Sequence, residues 1–517
     1  MACYILSFMG KIGKSFLFFM VVLSLCLIST IGTAENVLTV AGPWDPAVDP
    51  HVSGYSLQRL GVTETLVDVD HSVGLIPGLA SNWQVSGDQL TWTFIIRDGV
   101  KFHDGSFVNA HTVEKSLEDS LKKSKTFAKV PIKDITALND KTLEISLNSA
   151  FPALPAYMAK GESAILSEAC LAQGDITSPV STGPFKFVSF SPKEEMITAS
   201  NPDYWGKKSS VDQVVYMTVP EAATRSLLLE SGDADIVQIM PADVTESFKS
   251  KSGFTVKSQP IARTREILYN CESGPFADQT VRQAINYAID RQAIVDYVME
   301  GVGSPAAGMF PPEFYWANSN IQPYSYDPEK AKSMLEQAGW KDSDGDGILD
   351  KNREKFSITL VTYPERAELP PTAEVIQDQL KDIGIEVEIV VVDNDSSTAL
   401  REKGDYDMYL MGRGLLFVPD PDEVMMTDYH SSRKDNEYGG YKWSNARVDE
   451  LIDQARKTND MAERKKLYDE VQQIVVDEAP VSYLNYYVNQ DITSDKVSGY
   501  RMHPTEMSYH LEDVTLG

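Results

Sequence analysis

The sequence predicts an α/β protein made of two lobes, one of which carries an extra β-rich insertion. The chain has 517 residues, which is long enough for two or three domains. Its apolar fraction of 42% supports a large buried core. Strands and helices alternate after Pro260, whereas strand patterns predominate before residue 150. Length, apolar content and this change of pattern together predict the fold class.

The first half of the chain carries mostly strand patterns. Residues 37–41 predict a short buried strand, and residues 90–97 predict a second one rich in β-branched and aromatic side chains. Residues 141–147 alternate polar and apolar side chains, as a half-buried strand does. Residues 109–121 have helical spacing, with Asn109 at the N-cap position. Several strands with one helix predict the β-rich insertion.

The second half has a different pattern. Residues 280–300 predict one long amphipathic helix, with Val281, Ala284 and Ile285 on its apolar face. Further helices over 327–339 and 372–383 alternate with strands over 357–361, 385–392 and 406–411, and a last strand covers 481–488. This alternation predicts βαβ units around a largely parallel sheet.

The first 34 residues have the pattern of a secretory signal peptide. Lys11 and Lys14 precede an apolar run over residues 16–31, and small residues follow at 32–34. An uncleaved membrane anchor is the alternative, although the run is short for a bilayer span. Cys26 raises the question of lipidation, but lipoprotein signals usually carry a small residue where this chain has Leu25. In each case we expect an exported protein, periplasmic or at the outer face of the cytoplasmic membrane.

The composition excludes several classes of function. The net charge of −28 argues against nucleic acid as a partner, because a phosphate backbone needs a basic surface. It favours a soluble monomer. Outside the first 34 residues the cysteines are Cys170 and Cys271, which we expect to be buried thiols and not part of a disulfide framework.

No catalytic motif stands out. The sequence lacks HExxH, GxSxG and Walker-type phosphate-loop patterns, and the segment His103-Asp104-Gly105 predicts a turn after a strand. We therefore predict no enzyme activity and no cofactor. An exported hydrolase is one alternative, and a clamp-type chaperone or sensor is another.

Two features suggest a metal, and both are incomplete. Asp342, Asp344 and Asp346, with Gly347 at the sixth position, match the start of a calcium-binding EF-hand loop. The twelfth position is Arg353, where such loops carry a bidentate Glu. His430 is the other candidate ligand, but a lone loop histidine is usually only exposed. We predict no metal site and keep these four residues as candidates.

Motifs that are weak one by one recur in a fixed order along the whole mature chain. Ala80-Ser-Asn-Trp83 is followed by an aromatic strand and the turn Phe102-His-Asp-Gly105. The other motifs are Ser181-Thr-Gly-Pro-Phe185, Asn201-Pro-Asp-Tyr-Trp-Gly206, Gly232-Asp-Ala-Asp235, residues 281–291, Ala338-Gly-Trp340, Gly404-Asp-Tyr-Asp-Met408 and Pro419-Asp-Pro-Asp422. With this order and spacing the chain resembles the extracellular solute-binding proteins of family 5, which serve peptide and nickel ABC importers.

The resemblance implies a two-lobe, periplasmic-binding-protein-like clamp of type II, cluster C, with an extra β-rich insertion lobe. Lobe I would comprise residues 36–68, 185–262 and 485–517, the insertion lobe residues 69–184, and lobe II residues 263–484. Rigid lobes would close on a peptide or a nickel chelate and then dock on the ABC permease. This subunit would make or break no bond.

The loop after residue 411 is the most informative about the ligand. Peptide-binding relatives hold the ligand's ammonium group with an Asp three residues before an Asp-Pro pair, and Phe417 stands at that position here. Asp420 or Asp422 would have to substitute. Nickel-binding relatives place a Trp and a Tyr where this chain has Leu415 and Pro419. Peptide and chelate therefore both stay open.

Arg413 is the candidate for binding an anionic ligand. Its guanidinium could hold a chelator's carboxylate bidentately, or it could form a structural pair with an acid such as Asp407. We expect Arg413→Ala to weaken binding of an anionic ligand by more than ~1 kcal/mol, and unchanged affinity would show that the residue is structural. Nickel-binding relatives also use an Arg in the insertion lobe, where the nearest cation here is Lys160.

The remaining candidates are mostly aromatic. Tyr438, Tyr441 and Trp443 lie in a Gly-rich stretch and suit a cleft wall, although ordinary packing explains them equally well. The resemblance places Trp44 and Tyr55 in a loop that faces the cleft from lobe I. Thr505 matches a position that lines the cleft in nickel-binding relatives.

Overall fold

The computed structural model describes residues 36–432 and 442–517. The predicted signal peptide, Tyr438 and Tyr441 lie outside the described residues. Within the described ranges, no helix combines the length and the apolar character that crossing a bilayer requires.

The strands are numbered in chain order. They are β1 (Val37–Gly42), β2 (Val67–Val69), β3 (Leu75–Pro77), β4 (Ala80–Val85), β5 (Thr91–Ile96), β6 (Ile132–Asn139), β7 (Thr142–Leu147), β8 (Phe185–Ser191), β9 (Glu195–Ser200), β10 (Gln213–Thr218), β11 (Ile236–Val237), β12 (Phe254–Tyr269), β13 (Ser304–Pro305), β14 (Asp350–Lys351), β15 (Glu354–Lys355), β16 (Ser357–Thr362), β17 (Glu386–Val391), β18 (Met408–Gly414), β19 (Val481–Ser494), β20 (Val497–Ser498) and β21 (Thr515–Leu516).

The α-helices are numbered in the same way. They are α1 (Tyr55–Arg59), α2 (Ala110–Lys123), α3 (Leu154–Tyr157), α4 (Glu168–Leu171), α5 (Ala222–Ser231), α6 (Ala242–Lys249), α7 (Gln279–Ala288), α8 (Arg291–Ala293), α9 (Pro328–Gln337), α10 (Leu369–Lys381), α11 (Asn394–Lys403), α12 (Asp422–Asp428), α13 (Ala446–Ala455) and α14 (Met461–Glu478). Short 3₁₀ turns cover Phe127–Lys129, Gly161–Ser163, Gly274–Ala277 and Leu511–Asp513, and a π-helical turn covers Ile294–Val298.

One sheet of eleven strands runs through the molecule, in the order β17-β16-β18-β12-β19-β11-β1-β10-β9-β8 with β13 beside β19. The end with β1 and β8–β11 belongs to lobe I, and the end with β16–β18 belongs to lobe II. β16 is parallel to both β17 and β18, as the βαβ pattern predicts. β12 is antiparallel to β18 and β19, and β13 is antiparallel to β19, so the prediction of a largely parallel sheet is wrong.

Two long strands carry the chain between the lobes. β12 and β19 pair antiparallel along most of their length. The first part of β12, through Pro260, pairs only with the end of β19, whereas the part from Arg263 onward also pairs with β18. Their register shifts between Pro260 and Thr264. This break in the ladder is where the lobe I part of the sheet passes into the lobe II part.

The insertion lobe has its own sheet, β4-β5-β7-β6, covered by α2. Its buried side chains, among them Phe94, Leu117, Ile145 and Phe151, form one hydrophobic cluster. A larger cluster fills lobe II, and two smaller ones pack in lobe I. The fold is therefore a two-lobe α/β clamp with an extra β-rich lobe, as predicted, and the exact lobe boundaries stay a prediction.

Local signals account for most of the elements. Asn109 caps α2 in a capping box with Thr112, and the Asp327 carboxylate accepts from Lys330 N at the start of α9. The single helix predicted over residues 280–300 is wrong. Ile289 takes an extended conformation and ends α7, and Asp290 caps a separate short helix that runs into the π-helical turn.

The two cysteines differ from each other. Cys170 is a buried free thiol, as predicted, whereas Cys271 is only partly buried. Burial still raises the pKa of Cys271 to about 11. Neither forms a disulfide in the described chain.

Candidate functional site

A groove of about 760 Å³ lies between the two lobes. Lobe I lines it with Pro43, Ala222, Ala223, Met240 and Ala242, and lobe II with Val298, Met299, Pro364, Ala367 and Pro371. The crossing strands add Arg265, Tyr487, Asn489 and Gln490. The wall also carries charged side chains, namely Glu221, Arg225, Asp243, Glu300, Glu365, Arg366 and Glu368. Its volume suits a small solute.

Arginines and aromatic rings form a continuous stack beside this groove, which we call the cation–aromatic stack. It consists of Trp44, Arg366, Tyr487, Arg265, Arg263, Phe417 and Tyr55. The Arg366 guanidinium carbon lies 5.6 Å from the ring centre of Trp44 and 5.0 Å from that of Tyr487. Arg263 lies 5.5 Å from the ring centre of Phe417, which is 5.0 Å from that of Tyr55. The stack joins lobe I to lobe II on both sides of the crossing strands.

Two of the arginines are neutralised by buried carboxylates. Arg263 donates to Glu506 Oε2 from Nη2 at 2.7 Å and from Nε at 3.2 Å. Arg265 donates to Glu368 Oε1 from Nη2 at 3.0 Å and stacks 3.5 Å above the centre of Tyr487. Burial would raise the pKa of Glu506, but Arg263, Arg59 and Arg366 lower it to about 2. Both carboxylates are therefore ionised and already paired.

Arg366 is the exception. Its side chain is 7% exposed and lines the groove, yet within residues 36–432 and 442–517 it has neither an ion pair nor a hydrogen-bond acceptor. Burial would lower the pKa of Arg366, but Tyr487, Tyr363, Glu368 and Glu506 raise it, so the group stays protonated. None of its nitrogens is among the solvent-shielded atoms that lack a partner, so the guanidinium faces the groove, where a carboxylate can accept from it.

The local fold explains how Arg366 comes to be there. It follows the carboxyl end of β16, the edge at which open α/β sheets place ligands. Gly412 and Gly414 in β18 leave room beside it. A Cβ atom at Gly412 would lie 2.5 Å from Tyr487 Oη and 3.1 Å from Arg366, and one at Gly414 would lie 2.4 Å from the Phe417 ring.

The insertion lobe contacts α12 of lobe II across the cleft. Lys160 Nζ donates to Glu423 Oε1 at 2.7 Å and lies 3.3 Å from Glu162 in its own lobe. Tyr157 Oη donates to Asp422 Oδ2 at 3.0 Å. Val418 packs into the hydrophobic cluster of the insertion lobe. We call these contacts the latch.

Arg413 has a different environment from that of the stack. It alternates with Gly412 and Gly414 in β18, so its side chain points to the opposite face of the sheet. It donates to both carboxylate oxygens of Asp428, from Nε at 2.8 Å and from Nη2 at 3.0 Å. The contacts favour the structural alternative, and Asp407 as its partner is wrong, because the Asp407 carboxylate accepts from Thr359 N.

Several other predicted residues are satisfied by neighbours. Asp420 forms a buried bidentate pair with Arg464, with both distances 2.7 Å. Trp443 Nε1 donates to Glu478, and the hydroxyl of Thr505 lies 2.8 Å from His503 Nδ1. These contacts favour structural roles for Asp420, Trp443 and Thr505, whereas Trp44, Tyr55 and Phe417 are brought together in the stack.

The two metal candidates also have internal partners. The carboxylates of Asp342, Asp344 and Asp346 come within 4.8 Å of one another at the surface. The ammonium of Lys355 contacts Asp346 and lies 3.7 Å from Asp344. His430 Nδ1 is 2.7 Å from Ser432 Oγ, and its Nε2 is 3.5 Å from Asp453.

Sequence reasoning missed Arg263, Arg366, Tyr487 and Glu506. One signal was available for Arg366, since it lies in the loop directly after a predicted strand of the parallel sheet. The other three lie in long strands or in the C-terminal segment, where only the pairing of β12 with β19 brings them together.

Comparison with known proteins identifies the family. The family model described as "Bacterial extracellular solute-binding proteins, family 5 Middle" matches residues 74–436. The chain is 28% identical over 481 residues to the dipeptide-binding protein of Escherichia coli, covering 86% of each chain. It is also 28% identical over 475 residues to the nickel-binding periplasmic protein of Escherichia coli, covering 88% of this chain and 90% of that one.

Solved structures show the same architecture. The oligopeptide-binding protein AppA of Bacillus subtilis, in complex with a nonapeptide, superposes with a TM-score of 0.80 at 27% identity. The match covers 93% of this chain and 99% of that one. These relatives have different ligands, so the similarity alone leaves the solute open.

Proposed function

This chain belongs to family 5 of the bacterial extracellular solute-binding proteins, and on that premise we propose that it is the exported, monomeric solute-capturing subunit of an ABC importer. It binds a small solute between its lobes and delivers it to the membrane permease. The curated relatives and structural neighbours described above are binding proteins, so the proposal includes no chemical step and no cofactor.

The single observation that carries the ligand assignment is Arg366. This guanidinium borders the groove and lacks an acceptor in the described parts of the chain. A carboxylate could accept two parallel hydrogen bonds from it, an arrangement that strengthens both charge and geometry. The proposed solute is therefore an anion or carries a carboxylate.

The charge balance of the stack supports the same conclusion. Arg59, Arg263, Arg265 and Arg366 provide four positive charges near the crossing, against two negative charges from Glu368 and Glu506. This excess is local to the stack, because the rest of the groove wall carries the acids Glu221, Asp243, Glu300 and Glu365 and one further arginine, Arg225. An added carboxylate lowers this excess. A cationic solute would raise it.

Two solute classes share this chemistry, and both are represented among the relatives. One is a peptide bound through its C-terminal carboxylate, and the other is a nickel chelate bound through carboxylates of its organic ligand. Phe417 occupies the position of the acid that holds a peptide ammonium in relatives, and Asp420 is paired with Arg464. An anionic chelate or a peptide held mainly by its C-terminus therefore suits the groove better than a peptide anchored by its N-terminus.

Closure of the lobes is the proposed signal to the permease. A solute that contacts Arg366 on lobe II and Trp44 on lobe I binds only the closed state fully, so it shifts the equilibrium toward that state. The latch adds contacts of the insertion lobe to the closed form.

Native mass spectrometry with metal analysis tests the proposal. The mature protein, purified without denaturation, is expected to carry a small carboxylate-bearing solute or to bind one from a panel of dialanine, tetra-alanine and nickel bis-histidine. Arg366→Ala should lose that solute, and the matched control Arg447→Ala, which removes an exposed arginine, should keep it. Failure of the wild type to bind any solute, or hydrolysis of the peptides, would contradict the proposal.

A further inference from the structure

Three of the seven histidines of the chain converge at one point outside the groove. His71 comes from the turn between β2 and β3, and His503 and His510 come from the last fifteen residues. The ring centre of His71 is 5.0 Å from those of both His503 and His510, and the latter two are 5.8 Å apart. One nitrogen from each ring lies within 4.8 Å of the others.

Two of the rings have a solvent-shielded nitrogen that forms no hydrogen bond with the described residues. Nε2 of His71 and Nε2 of His510 are shielded from solvent, and neither has a hydrogen-bond partner within the described residues. His510 Nδ1 lies 3.4 Å from Glu512 Oε1. A carboxylate on the second ring nitrogen is the usual partner of a metal-bound histidine, because it orients the ring and leaves the other nitrogen as the ligand.

His503 is hydrogen-bonded at both ring nitrogens. Its Nε2 is 3.1 Å from the carbonyl oxygen of Asp70, and its Nδ1 is 3.2 Å from Thr505 N and 2.8 Å from Thr505 Oγ1. If the proton moves from Nε2 to Nδ1, Nδ1–H can donate to the Thr505 hydroxyl and the Nε2 lone pair becomes available. This shift gives up two hydrogen bonds, the one from Nε2–H to Asp70 O and the one from Thr505 N–H to Nδ1. The bond from Nδ1–H to the Thr505 hydroxyl would still orient the ring for a metal bond at Nε2.

We propose that His71, His503 and His510 form a binding site for one divalent transition-metal ion, separate from the solute site. An ion bound to three imidazoles at about 2.1 Å holds their ring centres roughly 5 Å apart, which is close to the observed spacing. Imidazole ligands suit Zn²⁺, Ni²⁺ and Cu²⁺ and are poor ligands for Ca²⁺ or Mg²⁺. The burial of two unpartnered nitrogens is the cost that a bound ion would remove.

The surroundings suit a cation. The carboxylates of Asp68, Asp70, Glu512 and Asp513 all interact with His71 or with His510. Asp513 is shared with Lys207 and Arg501, and Asp70 also caps its own turn. These acids provide negative charge around the site without occupying the free imidazole nitrogens.

The site is distinct from the groove and lies beside a small cavity. A cavity of about 120 Å³ borders His503 and His510 and shares no lining residue with the interlobe groove. Because His71 belongs to the insertion lobe and the other two histidines to the C-terminal segment of lobe I, a bound ion would tie these two parts together. Metal at this site would be structural and not cargo.

Zn²⁺ titration of the metal-free mature protein tests the inference. The wild type is expected to bind one equivalent of Zn²⁺ in competition with a chromophoric chelator, and His71→Ala and His510→Ala should each weaken binding at least tenfold. Two controls should match the wild type. His111→Ala removes an exposed histidine of α2, and Arg366→Ala changes the solute site.

Spectroscopy and stability provide the second readout. Co²⁺ at the site should show the absorption of a nitrogen-rich tetrahedral or five-coordinate centre, and Zn²⁺ should raise the melting temperature of the wild type but not that of His71→Ala. Near-ultraviolet circular dichroism checks that the variants fold. Absence of Zn²⁺ binding by the wild type, or unchanged affinity in folded His71→Ala and His510→Ala, would overturn the inference. If only Arg366→Ala lost Zn²⁺ binding, the metal would bind with the solute in the interlobe groove and not at the three histidines, which would also overturn the inference.

Discussion

Arg413 and Arg366 belong to neighbouring parts of lobe II and are almost equally buried, at 4% and 7% exposure. Arg413 lies in β18 and has both oxygens of Asp428 as acceptors. Arg366 follows β16 and has an aromatic ring on each side but no acceptor within the described residues. A saturated buried charge contributes to the stability of the fold, whereas an unsaturated one is available to a ligand. The two arginines therefore predict opposite effects of the same substitution.

Breaking the ion pair between Arg413 and Asp428 should have the largest effect, and that effect should be on the stability of the fold. Arg413→Ala leaves Asp428 buried without its cation, and losing one partner of such a pair costs about 3–5 kcal/mol of stability. Solute affinity of the remaining folded protein should stay within about twofold of the wild type. Urea denaturation and calorimetric titration measure the two quantities. Lost affinity with intact stability would make Arg413 a ligand residue.

Glu64 extends the comparison to a partly buried acid whose side-chain hydrogen-bond donors are all neutral. It accepts from Thr182 Oγ1, Tyr204 Oη and Trp205 Nε1, and burial raises its pKa from 4.5 to about 7. The folded state thus holds a proton that the unfolded state has lost, so stability falls as pH rises from 4.5 to 7.

We expect this loss to amount to about 2 kcal/mol, allowing for partial exposure of the side chain. Glu64→Gln should remove it, so the variant and the wild type differ more at pH 8 than at pH 4.5. Denaturation at a series of pH values measures the difference. A constant difference across this range would show that Glu64 is ionised at low pH as well.

Removing the unsaturated charge should affect binding alone. Arg366→Ala should weaken the solute at least tenfold, or about 1.4 kcal/mol, because a charge-assisted hydrogen bond is lost. Stability should stay the same or rise, since no partner is left unpaired. Arg366→Lys keeps the positive charge but lacks the two parallel donors of a guanidinium, so its solute affinity should lie between those of the wild type and Arg366→Ala. Equal affinity of Arg366→Ala and wild type would contradict the assignment.

Removing the ion pair of the latch should have the smallest effect, and that effect should be on solute affinity. Glu423→Gln removes the ion pair across the cleft while Lys160 keeps Glu162 in its own lobe. We expect a decrease in affinity of a few-fold, about 1 kcal/mol or less, through a lower population of the closed state. Small-angle scattering of the solute-free and solute-bound forms measures closure. A compact solute-free variant with unchanged affinity would show that the latch does not contribute.

The sequence predicted the architecture better than it predicted the site. Periodicity and caps such as Asn109 and Asp327 are local signals, and they placed most elements within a few residues. The break at Ile289 was missed because the apolar spacing continues through it, although Asp290 directly after it was an available N-cap signal. The choice of Asp428 over Asp407 by Arg413 depends on which face of β18 each residue occupies, and that is set by strand pairing.

The sequence also did not predict which distant segments come together in the fold. His71 and His510 lie 439 positions apart in the chain, and the acids that follow His510, Glu512 and Asp513, were the local signal of a metal-ligating group. Arg263 and Tyr487 approach only because β12 and β19 pair across the crossing. Long-range pairing of this kind determines the site and leaves no periodic pattern in the sequence.

A thermodynamic cycle tests most directly whether Arg366 holds a carboxylate of the solute. The solute that binds tightest and its carboxamide analogue are titrated into wild type and Arg366→Ala. Replacing the carboxylate should weaken binding to the wild type at least tenfold and change binding to Arg366→Ala by less than about twofold. An equal loss in both proteins would contradict the account, because the carboxylate would then be bound by another group.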